Sequence, residues 1–315
     1  TNTPVDGPRL DSDSEPGFGT LYVVPANDPG AHTVVGQCVI VQKVDLTLPC
    51  RGFIWSHDSR SLAWGDGLGL WVADLGQTPR RIVQNSEHAT LRPIPSRFVG
   101  KLIDWSFDKK HLVYEVGFYE GSAKTIVEVA TGQWIDIPGT VQYGVPGAEV
   151  YWLKDDRLLT LGPEYGPGDI VTHDPANRVW QVRDTGAGIT LTVSAAFTLS
   201  VPSYNFPVAP FELGDNSLAL AVLNSNPADD RSRGLYTVNL TTGKVQKLND
   251  LPATNPKYAS SPTAPPDTAS ARIGWSPDGA DVIYRDPSII AYVRATDMPL
   301  FDLRTLMMSS FTWLP

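Results

Sequence analysis

Aspartate recurs in this chain at a nearly fixed place. Asp58, Asp108, Asp155, Asp215 and Asp278 each follow an aromatic residue by three or four positions. Carboxylates repeated in this way can gather around a hard cation, and Asp155-Asp156 and Asp229-Asp230 add local charge. A simpler reading is a turn, because aspartate accepts hydrogen bonds from backbone amides just downstream, and one turn per repeat gives one aspartate per repeat. The five histidines, His32, His57, His88, His111 and His173, show no spacing that places two imidazoles on one metal from sequence neighbours. Distant ones would have to meet around a central channel. No Gly-x-Ser-x-Gly elbow presents a nucleophile. The sequence thus predicts no catalytic, cofactor-binding or metal-ligating residue, and no cofactor.

The aromatic residues before these aspartates set the frame. Trp55, Trp105, Trp152, Phe211, Trp275 and Trp313 serve as anchors, separated by 50, 47, 59, 64 and 38 residues. After each of the first five comes a strand-like run, such as Ser61-Leu62-Ala63-Trp64 or His111-Leu112-Val113-Tyr114. The tryptophans are expected to wedge between neighbouring sheets, since an indole buries a large apolar area. Four short strands per unit, with turn signals between them, are the grammar of a propeller blade, and the steps straddle its usual period of roughly 40 to 50 residues.

The expected fold is therefore all-β, a propeller of six four-stranded blades. Five blades fall near 53–83, 102–137, 149–184, 211–248 and 271–305. The sixth is shared by 18–36 and 309–315, so that pairing of N-terminal strands with the C-terminal strand closes the ring and leaves no sheet edge open. Only two strands are visible for the N-terminal part of that blade. Residues 1–17 are polar and contain proline, and they read as a flexible linker ahead of a single domain spanning 18–315. A segment rich in Pro, Ser and Thr, near 251–270, reads as a long exposed loop.

Composition agrees. Hydrophobic residues make up 42% and charged residues 19%, enough apolar matter for a core and too little charge for disorder, while 27 Gly and 27 Pro spread along the chain favour turns over long helices. The formal net charge of −9, with no basic run beyond Arg80-Arg81 and Lys109-Lys110, gives no electrostatic footprint for nucleic acid. No stretch approaches the ~18 apolar residues of a membrane span. Cys38 and Cys50, the only cysteines, read either as a disulfide formed in an oxidising compartment or as two buried thiols.

Trp275-Ser276-Pro277-Asp278-Gly279 leading into a strand, together with Leu70-Trp71-Val72-Ala73-Asp74-Leu75 and Arg80-Arg81-Ile82-Val83, resembles the repeat of TolB-like β-propellers. The resemblance covers residues 18–315 in pattern, with the best copies at 53–83, 102–137 and 271–285. It implies an extracytoplasmic or envelope-associated propeller that binds other proteins within a larger complex, and the N-terminal linker is a candidate tether. The same repeat also forms the non-catalytic propeller of prolyl-oligopeptidase-type peptidases, although no segment here resembles their hydrolase domain.

The functional expectation is a non-catalytic scaffold or accessory subunit. The alternatives are a propeller hydrolase or lyase with a channel-centred metal, the propeller part of a larger peptidase, and carbohydrate binding. Candidate contact residues lie in loops rich in Gly and Pro: Phe118, Tyr119, Tyr165, Tyr204, Phe206 and Tyr258.

Overall fold

Short apolar runs broken by Gly, Pro, Asp and Asn fold here as strands joined by tight turns. The computed structural model describes residues 17–25, 28, 30–43, 46–48, 50–87, 95–118, 121–141, 148–165, 171–175, 177–186, 188–198, 208–213, 216–222, 234–249, 272–275, 281–286, 289–294 and 301–302. Among them there is no helix, and every regular element is a strand.

The first sheet is three-stranded and antiparallel: β1 (Gly17–Val23), β2 (Thr33–Lys43) and β3 (Leu46–Leu48), in that order. The second is the meander β4 (Arg51–Trp55), β5 (Ser61–Asp66), β6 (Gly69–Asp74) and β7 (Arg80–Gln84). The third adds β8 (Ser86–Glu87) beside the meander β9 (Pro95–Trp105), β10 (His111–Phe118), β11 (Gly121–Glu128) and β12 (Trp134–Asp136).

The next sheet departs from the expected layout. Its order is β13 (Glu149–Trp152), β14 (Leu158–Leu161), β17 (Asn177–Thr185) and β18 (Gly188–Phe197), while β15 (Pro163–Tyr165) and β16 (Val171–Pro175) form a separate hairpin. Val171 and Thr172 thus lie in the separate hairpin rather than in the main ladder. Residues 189–193 belong to the fourth strand, and the sheet runs to 197 rather than 184. Short β-rich segments carry the same local signal whether they join the main ladder or stand beside it, and only long-range pairing distinguishes them.

Two further meanders follow: β19 (Val208–Glu212), β20 (Ser217–Val222), β21 (Gly234–Asn239) and β22 (Val245–Asn249); then β23 (Arg272–Trp275), β24 (Asp281–Asp286), β25 (Ile289–Arg294) and β26 (Phe301–Asp302). By compactness the chain divides into a unit of residues 1–158 and 181–192 and a unit of 159–180 and 193–315. In the second unit, Leu218, Leu220, Leu235 and Val238 are buried on β20 and β21.

In the first unit, side chains from facing sheets make two cores. Leu21 and Val23 of β1 pack with Val35 of β2 against Leu62, Trp64, Trp71 and Ala73. On the other face of the β4–β7 sheet, Ala63, Leu70 and Val72 meet Val99, Leu102, Trp105, Leu112 and Tyr114. Alternation along each strand sends neighbours to opposite cores, as for Leu62 and Ala63. Gly36 lets β2 come close to this surface, since a Cβ there would lie 2.9 Å from Pro79 and 3.3 Å from the Trp64 ring.

Where two strands were expected at 18–36, the sheet runs from residue 17 to residue 48 and has three.

Candidate functional site

The turns that follow the anchor tryptophans share one construction. After Trp55, the Ser56 amide donates to the Ser61 carbonyl at 2.9 Å, and the Ser59 amide to the Ser56 carbonyl at 2.8 Å. The Ser56 hydroxyl donates to Asp58 Oδ1 at 2.7 Å and accepts from the Ser61 amide at 3.0 Å, while Asp58 also accepts from the Arg60 amide. After Trp105, Ser106, Asp108, Lys110 and His111 repeat these bonds. The turn after Trp152 is one residue shorter and replaces the serine by Leu153, yet Asp155 still accepts from the Arg157 amide. In all three the chain reverses through a left-handed residue, with φ of 57° at Ser59, 63° at Lys109 and 62° at Asp156. The fourth turn does so at Asn216. The recurrent aspartates Asp58, Asp108 and Asp155 are thus acceptors for their own turns.

Between turns the ties are equally specific. Lys109 Nζ reaches Asp58 Oδ2 at 2.7 Å, and the Asp108 amide donates to Asp156 Oδ1 at 2.9 Å. His57 Nε2 donates to the Trp105 carbonyl at 2.9 Å, and its ring stacks on Phe107 with centroids 3.9 Å apart and planes 3° from parallel. The Trp105 indole donates to the Ile54 carbonyl at 3.3 Å. Three consecutive turns are therefore linked into one row, with the His57–Phe107 stack on its exposed side and Phe107 37% exposed.

Charge in the row is arranged to keep the turns ionised. The Lys109 ammonium, followed by the Ser56 hydroxyl, holds the Asp58 carboxyl well below the usual range. For Asp108, burial acts upward, but the Lys110 amide, Ser106 and the Lys110 ammonium together outweigh it and lower the pKa. Asp104, 3.7 Å from His57, is pushed up by burial against the pull of the Trp105 amide and His57.

Elsewhere, His111 is buried and donates to Asp184 at 2.7 Å beside the Trp152 ring. Arg97 makes a two-pronged bond to Asp136 at 2.6 and 3.1 Å and lies over the Trp134 ring. Among the described residues no group of three or more His, Cys, Asp and Glu is placed to hold a metal ion.

The anchors differ in burial. Trp105 is 1% and Trp152 6% exposed, whereas Trp55, the equivalent residue of β4, is 40% exposed with Phe53 beside it on the same face. Register also moves one anchor. Trp55 faces Leu62, Trp105 faces Leu112 and Trp275 faces Val282, each the second residue of the next strand; the residue facing Leu218 in that place is Glu212, not Phe211. The shorter turn shifts the phase by one, which a one-residue offset in sequence could have revealed.

The side chain of Trp275 and all of Trp313 lie outside the described residues, as do Asp278, Tyr119, Tyr204, Phe206 and Tyr258. Tyr165 is placed by its backbone in β15. Phe118 ends β10, is half-buried and packs against the core shared by β5, β6, β9 and β10. Cys38 and Cys50 form a disulfide. His57, Phe107 and Lys109 were not singled out by sequence as contact residues; their signal was their place inside the repeated turn.

No protein-family pattern matches the chain, and no curated protein matches it. Among solved structures it is similar to TolB from Acinetobacter baumannii, at 13% identity and a TM-score of 0.42, covering 88% of this chain and 57% of that one. It is also similar to an oligogalacturonate lyase from Vibrio parahaemolyticus, at 15% identity and a TM-score of 0.43 over 91% of this chain and 72% of that one. Prolyl oligopeptidase B from Galerina marginata aligns at 11% identity and a TM-score of 0.44, over 91% of this chain and 41% of the peptidase. The chain thus spans little more than half the length of TolB. The likeness to these structures is one of fold alone.

Proposed function

We propose that the chain is a non-catalytic, six-bladed propeller that acts as an interaction scaffold or accessory subunit, with a protein partner in an extracytoplasmic, envelope-associated complex. The observation that carries this reading is the tied row of turns. Hydrogen bonds from Lys109 to Asp58, from the Asp108 amide to Asp156 and from His57 to the Trp105 carbonyl fix the loops to one another, so presenting the His57–Phe107 stack to a partner requires little further ordering. An exposed aromatic stack bordered by charge is also the composition of an interaction hot spot. The Cys38–Cys50 disulfide supports an oxidising compartment. Residues 1–17 would serve as the tether.

A photoreactive residue in place of Phe107, in protein mixed with an envelope extract, tests this. It is expected to give one discrete protein adduct, which the same probe at exposed Trp134 does not give. Against the partner so identified, Phe107→Ala, which leaves the hydrogen bond of His57 to the Trp105 carbonyl in place, is expected to weaken binding at least about tenfold. Turnover of oligogalacturonate or of a peptide by the purified chain would overturn the scaffold reading in favour of an enzyme.

A further inference from the structure

We infer that Trp134, clamped by Arg97 and Asp136, is a carbohydrate-binding subsite on which one ring of a neutral oligosaccharide stacks. The site lies apart from the His57–Phe107 stack and goes beyond the scaffold reading without resting on it.

The outer strand of the third sheet places the residues. In β12 the order Trp134-Ile135-Asp136 sets Trp134 opposite Val127 and Asp136 opposite Thr125, and strand alternation puts both on one face while Ile135 takes the other. Trp134 remains 47% exposed. A single exposed indole is ordinary. What sets this one apart is that its orientation is fixed.

The Arg97 guanidinium lies 4.4 Å from the centre of the Trp134 ring. The other cation–ring contacts among the described residues, Arg81 with Trp71, Arg178 with Trp180 and Lys247 with Tyr236, are looser at 5.8 Å. Arg97 is itself held by the two-pronged bond to Asp136, at 2.6 and 3.1 Å, and the Thr125 hydroxyl donates to Asp136 Oδ1 at 2.7 Å. A chain of contacts from the third strand thus locks an exposed ring at the rim. A ligand that stacks on it meets a surface with little freedom left to lose.

The chemistry beside the ring selects a sugar. The C–H bonds on one side of a pyranose form a flat, weakly positive apolar face, which matches the electron-rich face of an indole. Asp136 Oδ2 accepts only from Arg97 Nη1, and the Trp134 indole N–H meets no acceptor among the described residues. A carboxylate oxygen takes more than one hydrogen bond, so the platform offers one acceptor and one donor beside the ring. A sugar hydroxyl both donates and accepts, and it can use either.

The ion pair decides between ligand classes. Its two side chains are 32% and 35% exposed, and an apolar protein surface pressed over them would strip their water at a desolvation cost. Hydroxyl groups replace that water instead. The Arg97 charge is already matched by Asp136, so an acidic sugar gains no attraction over a neutral one.

The full chain labelled with 5-fluorotryptophan tests the site, its Trp134 signal being assigned by its loss in Trp134→Phe. Cellohexaose, maltohexaose and N-acetylchitohexaose are the neutral probes, and hexagalacturonate is the anionic one. At least one neutral probe is expected to shift the Trp134 signal with a Kd on the order of 1 mM. By saturation-transfer measurements on that probe, Trp134→Ala is expected to weaken binding at least about tenfold, and Trp134→Tyr to stay within about threefold of wild type.

No shift with any neutral probe at about 20 mM would overturn the inference, as would equal binding by wild type and Trp134→Ala. Hexagalacturonate binding more tightly than every neutral probe would overturn it in favour of an anion site. A protein adduct from the photoreactive residue at Trp134 would overturn it in favour of a protein contact. None of these results bears on the Phe107 cross-link, so the sugar site and the scaffold reading fail separately.

Discussion

Asp66 shows how much a single side chain can organise without announcing itself. In sequence it sits in Gly65-Asp66-Gly67 and reads as an ordinary turn residue. In the fold it is 2% exposed and accepts from the Val39, Leu68 and Gly69 amides and the Trp71 indole, tying β2 to the β5–β6 turn. Burial raises its pKa despite those four donors. Asp66→Ala would leave the donors unsatisfied, and a loss of at least about 3 kcal/mol in denaturant unfolding is expected. The partner Val39 lies 27 residues away, which is why spacing could not expose the role. The turn aspartates Asp58 and Asp108 were legible because their partners are two residues distant.

Lys124 is a second buried charge. Its Nζ donates to the Ala148 carbonyl at 2.5 Å and lies 3.8 Å from Glu149. Burial pushes its pKa down from 10.5, against the upward pull of Glu149 and Glu115. Between the depressed folded value and about 10.5 the unfolded chain binds the extra proton, so this lysine makes stability rise with pH across that window. Lys124→Met removes the titration. Thermal melts from pH 7 to 10.5 are expected to show the difference between wild type and Lys124→Met moving in favour of wild type as pH rises. A difference independent of pH would assign Lys124 a packing role alone.

At the scale of elements, the turns and the disulfide do the local work. The left-handed φ at Ser59, Lys109, Asp156 and Asn216 costs about 1–2 kcal/mol for a residue with a Cβ. The fifth copy of the turn has Gly279 at the matching place, and this was visible in sequence once the phrase was aligned. Ser59→Gly relieves the strain at some cost in chain entropy, so a net gain of about 0.5–1 kcal/mol is expected in urea unfolding.

The Cys38–Cys50 bridge joins β2 to the residue before β4 across a separation of 12. Closing a loop of that size stabilises by about 3 kcal/mol, and Cys38→Ala with Cys50→Ala is expected to lose that amount and to lower the midpoint accordingly. Sequence gave the pair of cysteines but not the choice between bridge and thiols. It likewise could not tell the main ladder at 177–197 from the hairpin at 163–175, since both consist of short strands with the same residue preferences and differ only in their long-range partners.

For the molecule as a whole, periodic anchors made the sheet architecture legible, because each repeat must present one apolar strand face to each neighbour. What periodicity could not supply is which anchors end up covered. That contrast can be tested. Trp105→Ala removes an indole that is 1% exposed, and it is expected to cost about 3–5 kcal/mol in urea unfolding. Trp55 is 40% exposed, and Trp55→Ala is expected to cost less than about 1.5 kcal/mol by the same measurement. Equal costs for the two substitutions would mean that the Trp55 ring is covered in solution as fully as that of Trp105.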